Sequence, residues 1–96
     1  MIYKVKDREN LVVSSSVVSL TASKITSHII YARGQIQVAP IRLTTDGTDP
    51  NPATHIGEIF LSGDSFEVWG GAMSNLKMIR NTIDDARVEV TYMGSG

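Results

Sequence analysis

Asp46, Asp49 and His55 lie in the most irregular stretch of the chain, RLTTDGTDPNPATHIGE (42–58), where two carboxylates and an imidazole could in principle hold a cation or move a proton. Their spacing supports neither role. It matches no HExxH, paired-histidine or EF-hand pattern, so no metal site is expected. A turn accounts for the same letters: Asp46 can accept local backbone amides while Gly47 takes the left-handed position. Asp49-Pro50-Asn51-Pro52 then stiffens the loop, because each proline fixes φ and pushes its predecessor extended. His28, the second imidazole, sits beside Ile29 and Ile30 and reads as a structural histidine in a strand.

Nucleophiles and phosphate cradles fare no better. Ser14, Ser15, Ser16, Ser19 and Ser23 lack a GxSxG or SxxK setting. Gly70-Gly71 has no GK[ST] after it and no clear helix start, so a two-glycine turn is expected. No catalytic residue and no cofactor is assigned, and the chain is read as a non-enzyme. Contact chemistry remains. A stiff loop loses little entropy on docking. Trp69, on the strand face opposite Phe66 and Val68, belongs to a residue type enriched at interface hot spots and suited to stacking on a sugar. The candidate protein-contact or ligand residues are therefore Arg42, Asp46, Asp49, Pro50, Pro52, His55 and Trp69.

These residues must be positioned by strands. Ala86 to Met93 alternates strictly, with Ala86, Val88, Val90 and Tyr92 on one face and Arg87, Glu89 and Thr91 on the other, the period of a half-buried strand. The same pattern puts Ile36 and Val38 inward in Gln35–Val38, and Ile41 and Leu43 inward with Arg42 and Thr44 outward in Ile41–Thr45. Pro40 between them implies a bend or an edge. Further strands are expected at Tyr3–Lys6, Val12–Leu20 (broken among Ser14, Ser15 and Ser16), His28–Ala32, Glu58–Leu61, Ser65–Trp69 and Leu76–Arg80, with Ser62-Gly63-Asp64 as a hairpin connection. The last of these strands also fits helical spacing through Ile83. The fold class is all-β: a small antiparallel β-sandwich or jelly-roll-like barrel of about eight short strands. Residues 1–10 form an N-terminal arm or edge strand, 11–93 a single sandwich, and 94–96 a flexible tail.

Composition narrows the partners. The 96 residues carry nine Lys and Arg against ten Asp and Glu, a net charge of −1, with no cysteine. No basic patch is offered to phosphates, so no nucleic-acid partner is expected. No run reaches the roughly 18 apolar residues of a membrane span, and the start MIYKVKDREN lacks a signal-peptide core. A thin core without disulfides gains from oligomerisation.

Read together, IQVAPIRLTTDGTDP (36–50), HIGEIFLSGDSFEVWG (55–70) and LKMIRNTIDDARVEVTYMG (76–94) resemble a recurring kind of small tailed-bacteriophage virion protein. The likeness runs from about Val17 to Met93. It implies a β-sandwich component of the particle, engaged in head decoration, cement or connector work, with no catalytic residues. The implied partners are the major capsid protein or other virion proteins. A homo-oligomer, with a trimer favoured, would sit on the capsid surface of the virion after synthesis in the host cytoplasm. The chain departs from the pattern at Asp49, at Pro52 and in the extension MIYKVKDREN, so contacts of the loop and the arm are not implied. The alternatives are a head-tail connector or tail component, and a glycan- or host-binding module using Trp69 and the Asp46–His55 loop.

Overall fold

In the computed structural model, which describes residues 2–95, the alternating segment at the C-terminus forms the longest central strand. The elements are β1 (Tyr3–Val13), β2 (Val18–Ser19), β3 (Ile29–Gln37), β4 (Ile41–Thr44), β5 (Glu58–Phe60), β6 (Ser65–Trp69), α1 (Ala72–Asn75), β7 (Lys77–Arg80) and β8 (Ala86–Ser95). The large sheet has the order β1-β8-β3-β6 and the small sheet β2-β7-β4-β5. All pairings are antiparallel. First pairs with last, second with seventh, third with sixth and fourth with fifth: the chain is one long ribbon folded over itself, the pattern of a jelly roll. The all-β sandwich is as expected.

Ala86, Val88, Val90 and Tyr92 are fully buried between the sheets, facing Ile41, Leu43, Leu76 and Met78 of the opposite layer. Burying one such side chain contributes about 1.5–3 kcal/mol. Within this core the Tyr92 hydroxyl donates to the Glu9 carboxylate, which also accepts from Thr21, through its hydroxyl at 2.5 Å and its backbone N–H at 3.2 Å. Glu9 thereby joins the edge strand β1 to β8 and to the segment after β2. Burial pushes the Tyr92 phenol above its ordinary range, and the hydrogen bond to the Glu9 carboxylate and its charge push it further.

Several expectations need correcting. The two strands expected at His28–Ala32 and Gln35–Val38 are one, β3 (Ile29–Gln37), running through Gly34, where the Phe66 ring occupies the place a Cβ would take. Val38 points outward, and Arg42 is buried. His28 is exposed in the turn before β3, so it is no structural histidine of a strand. Ser62-Gly63-Asp64 is not a hairpin turn, since β5 and β6 belong to different sheets. It crosses between layers, with Gly63 at φ +95° and Asp64 accepting from the Leu61 N–H. A one-turn helix, α1, does follow Gly70-Gly71.

The two ends of the chain pair together. Residues 3–13 form one edge strand, bulged at Lys6, where charged side chains discourage pairing with other chains. Gly94 and Ser95 are laddered to Lys4 and Tyr3 rather than frayed, whereas Met1 and Gly96 lie outside the described residues. Gly94 is packed against the backbone carbonyl of His28, which occupies the place a Cβ would take. Gly94→Ala is therefore expected to cost about 2 kcal/mol in a denaturant titration. A loss under about 0.5 kcal/mol would contradict this packing.

Candidate functional site

The irregular loop after β4 proves to be largely internal scaffolding. Asp46 Oδ1 accepts from the Thr48 N–H at 3.0 Å and Gly47 has φ +87°, the turn its sequence implies. That bond, together with the Thr48 hydroxyl, holds the Asp46 carboxyl below its usual range. Asp49 pairs with Lys77 at 2.9 Å across to the small sheet. Pro50 is fully buried. Asn51 caps the turn Pro52–Thr54 through the Ala53 N–H, and His55 closes it in the left-handed conformation at φ 60°.

Arg42 explains how the loop is held. On β4 it points away from the core, yet it is only 8% exposed. Its Nε donates to Asn81 Oδ1 and one terminal nitrogen to the Gly57 carbonyl, both at 2.9 Å. Arg42 thus ties Gly57, at the end of the loop, and Asn81, just after β7, to the outer side of the small sheet through charge-assisted bonds. Arg42 and Pro50 are not available as contacts. Asp46, Asp49, Pro52 and His55 stay at the surface without converging on a ligand position. Among the described residues no group of His, Cys, Asp and Glu is gathered as metal ligands.

Trp69 sits elsewhere, on the outer face of the large sheet, 47% exposed and away from the loop. This face is open, and the strand register writes it out in rows. Val5, Met93, Tyr31 and Trp69 form one row across all four strands. Arg8, Thr91, Arg33 and Glu67 form the next, and Asn10, Glu89, Gln35 and Ser65 the third. In the apolar row the Trp69 ring stacks on Tyr31, with centroids 4.1 Å apart and planes at 18°, while Tyr3 meets both rings edge-on. Such pairs contribute about 0.5–1.5 kcal/mol beyond their burial.

A second apolar feature lies at the other end of the sandwich, where the turns following β1, β3, β5 and β7 meet. Each of these connections carries one solvent-facing aliphatic side chain: Val17, Val38 (72% exposed), Leu61 (57%) and Ile83 (87%). The turns are bound to their neighbours, with the Gly63 N–H donating to the Ile36 carbonyl of β3 at 2.7 Å and the Asn81 N–H to the Pro40 carbonyl of the β3–β4 turn at 3.0 Å. Val38 is strained. The Ala39 N–H donates to the Gln37 carbonyl across it, and its φ is 78°, a γ-turn that β-branched residues avoid.

Neither feature was assembled by the sequence reading, which singled out only Trp69. The turns are far apart in the chain, and Tyr31 is hidden in an unbroken apolar run, IIYA, where period two gives no signal. Comparison of the chain with family models, curated proteins and solved structures returned no match. Among the described residues no helix is long and apolar enough to cross a membrane.

Proposed function

We propose that this domain is a structural protein of a bacteriophage particle, a decoration or cement protein that clamps neighbouring coat subunits on the head. The observation that carries the reading is the apolar end of the sandwich. Four separate turns each hold an aliphatic side chain in solvent, and one of them, Val38, does so in a conformation that costs of the order of 1–3 kcal/mol. Folding does not need that strain, because glycine would occupy the position freely. A surface that docks on protein would use it.

The sequence likeness to small virion proteins points the same way, and the jelly roll is a fold used by viral capsid and lectin domains alike. The topology alone does not select a role. On a shell, modest contacts repeated over many copies hold by avidity. The copies are proposed to act as a symmetric oligomer, a trimer by preference, which sedimentation at micromolar concentration would reveal.

The test is co-sedimentation with heads assembled from the coat protein of the same phage but lacking this protein. Wild type is expected to saturate a regular set of sites. Val38→Gly should gain about 0.5–1 kcal/mol of stability, since the strain is relieved and little buried area is lost, while binding heads more weakly. Loss of stability together with unchanged binding would contradict the role given to this turn.

A further inference from the structure

We infer that the open outer face of the large sheet carries a carbohydrate-binding site, with the Trp69 indole, braced from behind by Tyr31, as its floor and Glu67 and Arg33 as its polar wall. The inference is separate from the proposed docking end. The shelf lies at the opposite end of β3 and β6 from Val38, Leu61 and Ile83.

The indole has one ring face on Tyr31, and Tyr31 is itself buried; the exposure of Trp69 therefore comes from its other face and its edges. A flat, braced aromatic surface of this kind matches the apolar C–H face of a pyranose ring. Beside it, Glu67 is two residues from Trp69 on β6 and Arg33 two residues from Tyr31 on β3, in direct register with each other. Two residues along a strand is about 6.7 Å. The polar pair thus stands one ring-width from the shelf.

Glu67 and Arg33 oppose each other without pairing. The ion pairs among the described residues are Lys24–Asp7, Lys77–Asp49 and Arg80–Asp85, and neither Glu67 nor Arg33 takes part. A sugar's vicinal hydroxyls satisfy both at once, donating to the carboxylate and accepting from the guanidinium. An apolar protein side chain laid on Trp69 would instead strip water from an unpaired acid and an unpaired base, at a net cost. Arg33 also borders an open depression of about 420 Å³ on the same face, lined by Val5, Arg8, Gln35, Ser65, Glu89 and Thr91 rather than by Trp69 or Glu67.

Trp69 is the only tryptophan, so its fluorescence reports this face and nothing else. The probes are short oligosaccharides of glucose, galactose, mannose and N-acetylglucosamine, titrated into the intact protein to millimolar concentration. A saturable change with at least one series is expected. Glu67→Gln and Arg33→Met keep the indole, and each should weaken that binding about tenfold or more, whereas the docking-end variant Leu61→Asp should leave it unchanged. No change with any series overturns the inference. So does a change that both polar variants leave intact, since that is adsorption to the indole alone. If no sugar binds and Glu67→Gln leaves attachment to heads unchanged, the inference fails alone and the proposed docking stands; if Glu67→Gln instead abolishes attachment, the face is a protein contact and the proposed docking orientation fails with the inference.

Discussion

Leu61→Asp combined with Ile83→Asp is expected to leave the fold intact and to weaken attachment to heads by about two orders of magnitude or more. Both side chains face solvent, at 57% and 87% exposure, so the free domain loses little core packing. Surface changes of this sort usually stay within about 0.5 kcal/mol of wild-type stability. At a docked interface each aliphatic side chain contributes about 1.5–3 kcal/mol, and each new carboxylate must in addition be desolvated. Unchanged denaturant midpoint with lost co-sedimentation is the expected pair of results. Full retention of binding would remove this end of the sandwich from the account.

The second large effect is expected from Glu9. Glu9→Ala strands the buried Tyr92 hydroxyl and two donors of Thr21, which now share one carboxylate. Hydrogen bonds to a charged group are each worth about 1.5–3 kcal/mol, and unsatisfied buried groups add to the loss. A total of about 3 kcal/mol is expected, close to a 15 °C fall in Tm for a domain of this size. Tyr92→Phe removes one bond and leaves the carboxylate to Thr21, so it should cost less, about 1–2 kcal/mol. The two losses should not add in the double variant, because the residues form one network.

The same network sets an alkaline limit. The folded-state pKa of Tyr92 is raised above the 10.0 of a free tyrosine, so the stability it contributes is intact below pH 10 and falls as pH rises further, when the unfolded chain releases the phenolic proton first. A denaturant midpoint that is flat from pH 8 to about 10 and then declines, with the decline blunted in Tyr92→Phe, is the expected pattern. An equal decline in both proteins would place the sensitivity elsewhere.

How much of this was legible in the sequence varies with the range of the interaction. The alternation of Ala86 to Tyr92 placed β8 correctly, because one face of that strand is core along its length. Asp46-Gly47 gave its turn, and Trp69 its outward face, since both depend on neighbours in the chain. Strand β1 was only partly visible. Its Lys4-Val5-Lys6-Asp7-Arg8-Glu9 run looks like an arm until β8 is placed beside it, and Glu9 looks like a surface charge until Tyr92 is brought to it. Arg42 was read by alternation as exposed, and was covered by a loop that folds back over its own sheet. Gathering Val17, Val38, Leu61 and Ile83 at one end depends on the winding of the ribbon, a property of pairings between strands up to the full length of the chain apart.

Imaging of heads saturated with the protein, at a resolution that orients the sandwich, is the most direct check. The proposed docking predicts ordered density at repeated lattice positions, with the turns that carry Val38, Leu61 and Ile83 against the coat and the Trp69 shelf facing outward. Empty lattice positions at saturating protein, or attachment through the 45–57 loop with the aliphatic turns in solvent, would contradict it.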